Sequence, residues 1–217
     1  MVLKLYGHTV SSATKRVACI ANELKVPYEL VTIDLFSGEH KWAAALEKQP
    51  FGELPWIDDG GFVLYESRAI CRYLVAKYGP SSSLVPKDLT GNAKFEQAAS
   101  IEICNFEPYA HVIAIEKLIK PASGAQPDET MVKENLDVLS SKLDAYEVIL
   151  SKQTYLAGDA SCIPHLTLAD LFHLPKGAMV TAAGINVLED SNDRPNVARW
   201  WKALTSRSSW RAVKDGA

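Results

Sequence analysis

A chain of 217 residues with 47% hydrophobic content is long enough to bury a substantial core. Its formal charge of -3, with 23 basic residues scattered along the chain, offers no footprint for nucleic acid. No apolar run approaches the ~20 residues that cross a bilayer, and the opening Met1–Tyr6 is too short for the apolar region of a signal peptide, so no membrane partner and a cytoplasmic location are expected.

Val2-Leu3-Lys4-Leu5-Tyr6 reads as a short strand, and Val17, Ile20, Ala21 and Leu24 then recur at helical spacing behind two adjacent serines, Ser11 and Ser12. Tyr28 to Leu35 is rich in branched residues and predicts a second strand. The block GEHKWAAALEKQP suits a brief helix. Two apolar runs then flank Asp58-Asp59-Gly60-Gly61, a hairpin turn whose glycines supply positive φ. Ser67 is expected to cap a helix with Ile70, Tyr73, Leu74 and Tyr78 on one face. The order is βαβ-α-ββα over residues 1–80.

The Ser- and Pro-rich stretch Gly79–Pro86 can neither continue a helix nor pair as a central strand, so residues 81–90 are placed as a linker. From 91 to 217 no strand pattern is evident. Val132, Leu136, Leu139, Leu143, Tyr146 and Leu150 step through a long amphipathic helix, and Val197, Trp200, Trp201 and Leu204 form another stripe. Thr167 and Asp170 have capping-box spacing ahead of an apolar run. The second domain is expected to be all-α.

Cys19, Cys71, Cys104 and Cys162 lie too far apart for a zinc knuckle or a redox dithiol, and no metal site is expected. Chemistry is sought instead where strand ends and helix starts gather on one sheet edge. Ser11 and Ser12, then Gly38-Glu39-His40-Lys41, Glu53-Leu54-Pro55 and Glu66-Ser67 all fall at such positions. His40 and Lys41 can hold a carboxylate, Glu66 an ammonium, and Ser67 with its amide a second carboxylate. The backbone of Leu54 can pair with an extended peptide. The ligand so described is a small peptide with a cation and two carboxylates, features that glutathione has.

The stretches GHTVSSATKRV, SGEHK, PFGELPWIDDG, ESRAICRYL, YLAGD, LTLADLFHLP and RWWKALTSRSSW, in this order across nearly the whole chain, resemble the cytosolic glutathione transferases, most of all the phi class of plants and fungi. The resemblance implies an α/β thioredoxin-like N-terminal domain, an all-α C-terminal domain and a homodimer. It implies glutathione as co-substrate with no tightly bound cofactor, Ser11 as the catalytic hydroxyl, and a glutathione site of His40, Lys41, Glu53, Leu54, Glu66 and Ser67, with Pro55 as the cis-proline. Where the phi pattern commonly has Gln, this chain has Glu53, a carboxylate added near a ligand that already carries two. The segment GDASCIPHLTLADL exceeds the usual link between its motifs and is expected to form an extended loop around Cys162.

The physical case for Ser11 rests on ionisation: only the thiolate attacks, and a thiol of pKa ~8.5 is a few per cent ionised at neutral pH. A hydroxyl at a helix start, aided by the helix's positive end, favours the anion. The implied activity is addition of glutathione to hydrophobic electrophiles, with reduction of organic hydroperoxides as a companion reaction. Leu35, Phe36 and Tyr109 are candidates to line the hydrophobic pocket, core packing being the alternative for each. A non-catalytic carrier of hydrophobic metabolites is the rival function. Cysteine-based disulfide exchange is disfavoured, because serines hold the positions where a thiolate would be required.

Overall fold

The computed structural model of the chain describes residues 2–160, 163–164 and 166–217. They divide into two compact units, Met1–Ser82 with Arg207–Ala217, and Ser83–Ser206. The sequence reading assigned residues 91–217 to one helical domain, and the last stretch departs from it: Arg207–Ala217 packs with the first unit. The reason lies in that segment's buried Trp210 and Val213 and in the ion pair of Arg207 with Glu23, which dock it on the first helix.

In the first unit, β1 (Leu3–Gly7), α1 (Ser12–Glu23) and β2 (Tyr28–Thr32) form the expected βαβ unit. A 3-10 turn, Glu39–Lys41, leads into α2 (Ala43–Leu46), and β3 (Trp56–Asp59), β4 (Phe62–Tyr65) and α3 (Ser67–Tyr78) follow. β2 ends at Thr32, short of the expected Leu35, because the Asp34 carboxylate caps the amides of Phe36 and Ser37 and turns the chain. The sheet order is β2-β1-β3-β4, with β1 parallel to β2 and antiparallel to β3, and the β3–β4 hairpin turns at Gly60 and Gly61 as expected.

Alternation along β1 buries Leu3 and Leu5, and Ile57 of β3 shares their face. The same core holds Val17, Ile20 and Ala21 of α1 and Ile70 and Leu74 of α3, all fully buried. Each such Val, Leu or Ile side chain contributes about 1.5–3 kcal/mol over leaving it in water.

The second unit begins with α4 (Leu89–Asn105) and α5 (Glu107–Ala114), which runs through a π turn into α6 (Lys120–Ala122). α7 (Glu129–Leu150), capped by the Asp128 carboxylate, buries Val132, Leu139, Leu143, Tyr146 and Leu150, while Leu136 is half-buried. α8 (Leu168–Phe172), α9 (Leu174–Ala182) and α10 (Pro195–Thr205) complete the helices of this unit, and α11 (Ser208–Arg211) lies in the segment that packs with the first.

The capping box forms: the Thr167 amide donates to Asp170 Oδ2 at 3.0 Å, while Oδ1 accepts from the Leu156 amide and the Trp200 indole. One departure from the all-helical reading is a two-residue pairing of β5 (Asp159–Ala160) with β6 (Ile163–Pro164). The extended loop expected around Cys162 lies outside the described residues. Among those described, no helix is long and apolar enough to cross a membrane.

Candidate active site

Strand register brings the motif segments to one end of the sheet. Tyr6 pairs with Trp56, and Trp56 pairs with Tyr65. The chain leaving β1 toward Ser11, the chain entering β3 from Glu53-Leu54-Pro55, and the chain leaving β4 into Glu66-Ser67 are therefore neighbours. β2 adds the fourth, since Gly7 pairs with Thr32, the Ile33 amide donates to the Gly7 carbonyl at 2.9 Å, and the chain then runs on to His40 and Lys41. Gly7 permits this convergence: a Cβ there would meet the Thr14 side chain at 2.5 Å.

Ser11 is the N-cap of α1 and its hydroxyl accepts from the Thr14 amide at 3.2 Å. A hydroxyl has one hydrogen to give as well as lone pairs to accept with, so the cap leaves the donor uncommitted. The first turn of α1 carries no acidic residue, and its positive end is uncompensated there. Ser12, the first helical residue, is half-buried and makes no side-chain cap. The Ser11 amide in turn donates to the His8 carbonyl, which fixes the turn between strand and helix.

His40 and Lys41 lie in the 3-10 turn. The His40 Nδ1 atom is buried without a hydrogen-bond partner, and Lys41 Nζ donates to the Phe51 carbonyl at 3.0 Å, tying the turn to the chain that leads toward β3. Glu53 is exposed, Leu54 half-buried and Pro55 buried, and the Leu54–Pro55 peptide is cis, as the resemblance implies.

At the end of β4 the structure corrects the expected capping. Glu66, not Ser67, is the N-cap of α3, with φ of 70°, and Ser67 is the first helical residue. Ser67 is buried and its hydroxyl accepts from Arg16 Nη1 at 2.9 Å. Arg16 is thus a site residue that the sequence reading missed. Its signal was a cation four residues before Ile20 on the apolar face of α1, where a buried guanidinium requires a partner.

Of the pocket candidates, Leu35 is half-buried and Phe36 is 84% exposed with its ring edge-on to His8 at 5.5 Å. Tyr109 is half-buried on α5 in the second unit. The Cys19 and Cys71 thiols are buried, and Cys71 donates to the Arg16 carbonyl at 3.9 Å. Burial pushes the Cys19 and Cys71 thiols up to about 12, which keeps both protonated at neutral pH.

A mixed four-stranded sheet with a cis-proline entering β3, followed by a helical unit, is the thioredoxin-like architecture of two-domain glutathione-binding proteins. Residues 5–82 match the glutathione S-transferase N-terminal domain and residues 105–208 the C-terminal domain. Glutathione S-transferase PM239X14 of Arabidopsis thaliana is 46% identical over 94% of this chain and 91% of its own. Glutathione S-transferase hmp2 of Hypomyces subiculosus is 39% identical over 97% and 96%.

Among solved structures, glutathione transferase F7 of Populus trichocarpa superposes with a TM-score of 0.89 at 35% identity, covering 99% of this chain and 98% of that one. Glutathione S-transferase I from maize, solved in complex with an atrazine glutathione conjugate, superposes with a TM-score of 0.88 at 34% identity over 98% and 96%. The chain belongs to the glutathione S-transferase family, in its phi class.

Proposed function

We propose that this transferase binds glutathione at the shared end of the sheet and adds its sulfur to hydrophobic electrophiles, with Ser11 as the hydrogen-bond donor to the thiolate. One observation carries the assignment: the Ser11 hydroxyl accepts the Thr14 amide and so keeps its own hydrogen, at the head of a helix with no acidic residue in its first turn. In the reaction the thiol proton passes to water, the thiolate sulfur forms a bond to the electrophilic carbon, and the leaving group departs with its electron pair. A donor that bonds mainly to the anion is worth about 1.5–3 kcal/mol, or one to two pKa units.

The remaining residues fit the ends of the peptide. Lys41 has two further N–H bonds beyond the one given to Phe51, and with His40 it faces one carboxylate. Glu66 meets the ammonium, and Ser67 with the amides at the start of α3 meets the second carboxylate. Leu54 pairs through its backbone, and Leu35 and Phe36 offer apolar surface to the electrophile. The conjugate-bound maize relative supports a small organic electrophile as second substrate. We place the enzyme in the cytoplasm as a homodimer. The carrier reading finds no support at this end of the sheet.

The test is the pH dependence of conjugation to an activated aryl chloride. Ser11→Ala raises the pKa of the bound thiol by about one to two units and slows the reaction roughly ten- to a hundredfold at neutral pH, with the loss fading at alkaline pH. Ser12→Ala leaves the midpoint in place. The reverse ranking overturns the assignment.

A further inference from the structure

The two faces of the β-sheet are covered unequally. Leu3, Leu5 and Ile57 lie under α1 and α3, whereas Tyr6, Trp56, Asp58 and Val63 point to the opposite face by their register. Among the described residues the 3-10 turn and α2, four residues long, lie over that face together with Ile33 and Leu54, and Phe51 meets Tyr65 there. Beneath them remains a cavity of about 220 Å³ with a predominantly apolar lining. A part-open concavity of this size with an apolar lining is a candidate binding site. No residue assigned above to glutathione or to its electrophile lines it.

We propose that this cavity is a second ligand site, for a flat aromatic cation of two fused rings. Size sets the ring count, because an apolar cavity of about 150 Å³ takes up benzene and this one is larger by roughly another ring. The lining sets the aromatic character: the Tyr6 and Trp56 rings stack at 5.1 Å with 9° between their planes, and Trp42, itself 57% exposed, joins them. Rings gain from offset or edge contact with such a pair, and a cation gains further from their π faces.

The polar groups set the charge. Glu39, Asp58 and Lys48 are the charged residues of the lining, two acids against one base, with Lys4 cross-strand from Asp58 outside it. Each carboxylate is already oriented by one backbone amide, Asp34 to Glu39 Oε2 at 2.6 Å and Gly61 to Asp58 Oδ1 at 2.7 Å. The second oxygen of each is left for a ligand N–H.

Calorimetric titration of the whole protein with 2-naphthylmethylammonium tests this, with a saturating S-alkyl glutathione conjugate present to occupy the catalytic site. The cation binds once per chain and at least about threefold more tightly than 2-naphthoate, with the neutral 2-naphthylmethanol between them. Ala44→Leu and, from the sheet side, Val63→Phe fill the cavity and abolish binding while conjugation of the aryl chloride continues at its normal rate. Asp58→Asn weakens the cation about three- to tenfold and leaves the neutral alcohol unchanged. The proposal is overturned if the conjugate displaces the cation, if both filling variants bind it as before, or if the naphthoate binds equally well. Cation binding by Ser11→Ala separates the two assignments: binding as in the parent supports this site whatever that variant does to the rate, and loss of binding overturns it.

Discussion

Glu53 stands exposed immediately before the cis Leu54–Pro55 peptide, at the end of the sheet where glutathione's two carboxylates are proposed to lie. If its charge repels them, Glu53→Gln tightens glutathione binding and the gain shrinks as salt screens the pair. Titration calorimetry at two ionic strengths decides, and a weaker-binding Gln variant would show that Glu53 instead meets the ligand's ammonium or Lys41. Asp59 plays a structural part at the other end of β3, where its carboxylate accepts from Tyr73, Lys77 and Tyr78 at 2.7–2.9 Å and ties the hairpin to α3. Burial alone would raise its pKa, but these three donors outweigh burial and hold it below the usual value. A depressed folded pKa means that the stabilisation is complete above the unfolded value of ~3.9 and is lost as pH falls through the folded one. Asp59→Asn therefore costs about 1–3 kcal/mol in urea unfolding at pH 7, and the gap from the parent protein narrows below pH ~4. Legibility at this scale followed sequence distance. The Thr167–Asp170 box is made within three residues and could be read directly, whereas the bond from Arg16 to Ser67 spans 51 positions and could not.

α1 carries Ser11 at its head and is held along its length by the C-terminal segment. Arg207 and Ser209 both donate to the Glu23 carboxylate near the end of the helix, and Lys15 Nζ donates to the Lys214 carbonyl at 2.8 Å near its start. Burial raises the Glu23 pKa, but the bonds from Arg207 and Ser209 prevail and the group lies below its ordinary value. The clamp is thus fully made above the unfolded carboxylate pKa of ~4.3 and opens as pH falls through the lower folded value. Glu23→Gln loses the ion pair while keeping the shape, and amides of Ser208–Val213 then exchange with deuterium about tenfold faster at neutral pH, with those of β1 unchanged. Equal exchange in both proteins would mean that Trp210 and Val213 packing alone holds the segment. None of this was visible in the stripe of Val197, Trp200, Trp201 and Leu204, because periodicity shows that a face is buried and is silent about what covers it. The β5–β6 pairing escaped for a related reason: two-residue strands carry no alternation to detect.

For the molecule as a whole, proline and glycine act locally on the backbone, which is why Gly79–Pro86 reads as a break, and the two compact units divide at Ser82 and Ser83. The return of the C-terminus to the first unit was not, since it depends on contacts nearly two hundred residues apart in sequence, such as Lys15 with Lys214. The motif order carried the family, and strand register then supplied what motifs lack, the common end of the sheet at which all four segments arrive. Surface composition leads to the last expectation. Phe51 is 66% exposed and Phe62 48% exposed in the first unit, and Leu89 86% and Ile103 45% exposed in the second. Large apolar side chains left in water at about 25 cal/mol per Å² favour association that covers them. The homodimer proposed from the family accordingly runs near twice 23.8 kDa in light scattering at micromolar concentration. Phe51 extends from the chain that Lys41 ties back to the site, with its ring edge-on to Tyr65 at 6.2 Å, so it is anchored at its base and free at its tip. Phe51→Ser shifts the mass toward 23.8 kDa on dilution while leaving the circular dichroism of the folded chain intact. A parent protein that is already monomeric at micromolar concentration would remove the dimer, and a Phe51→Ser protein that dimerises as before would place the interface on other residues.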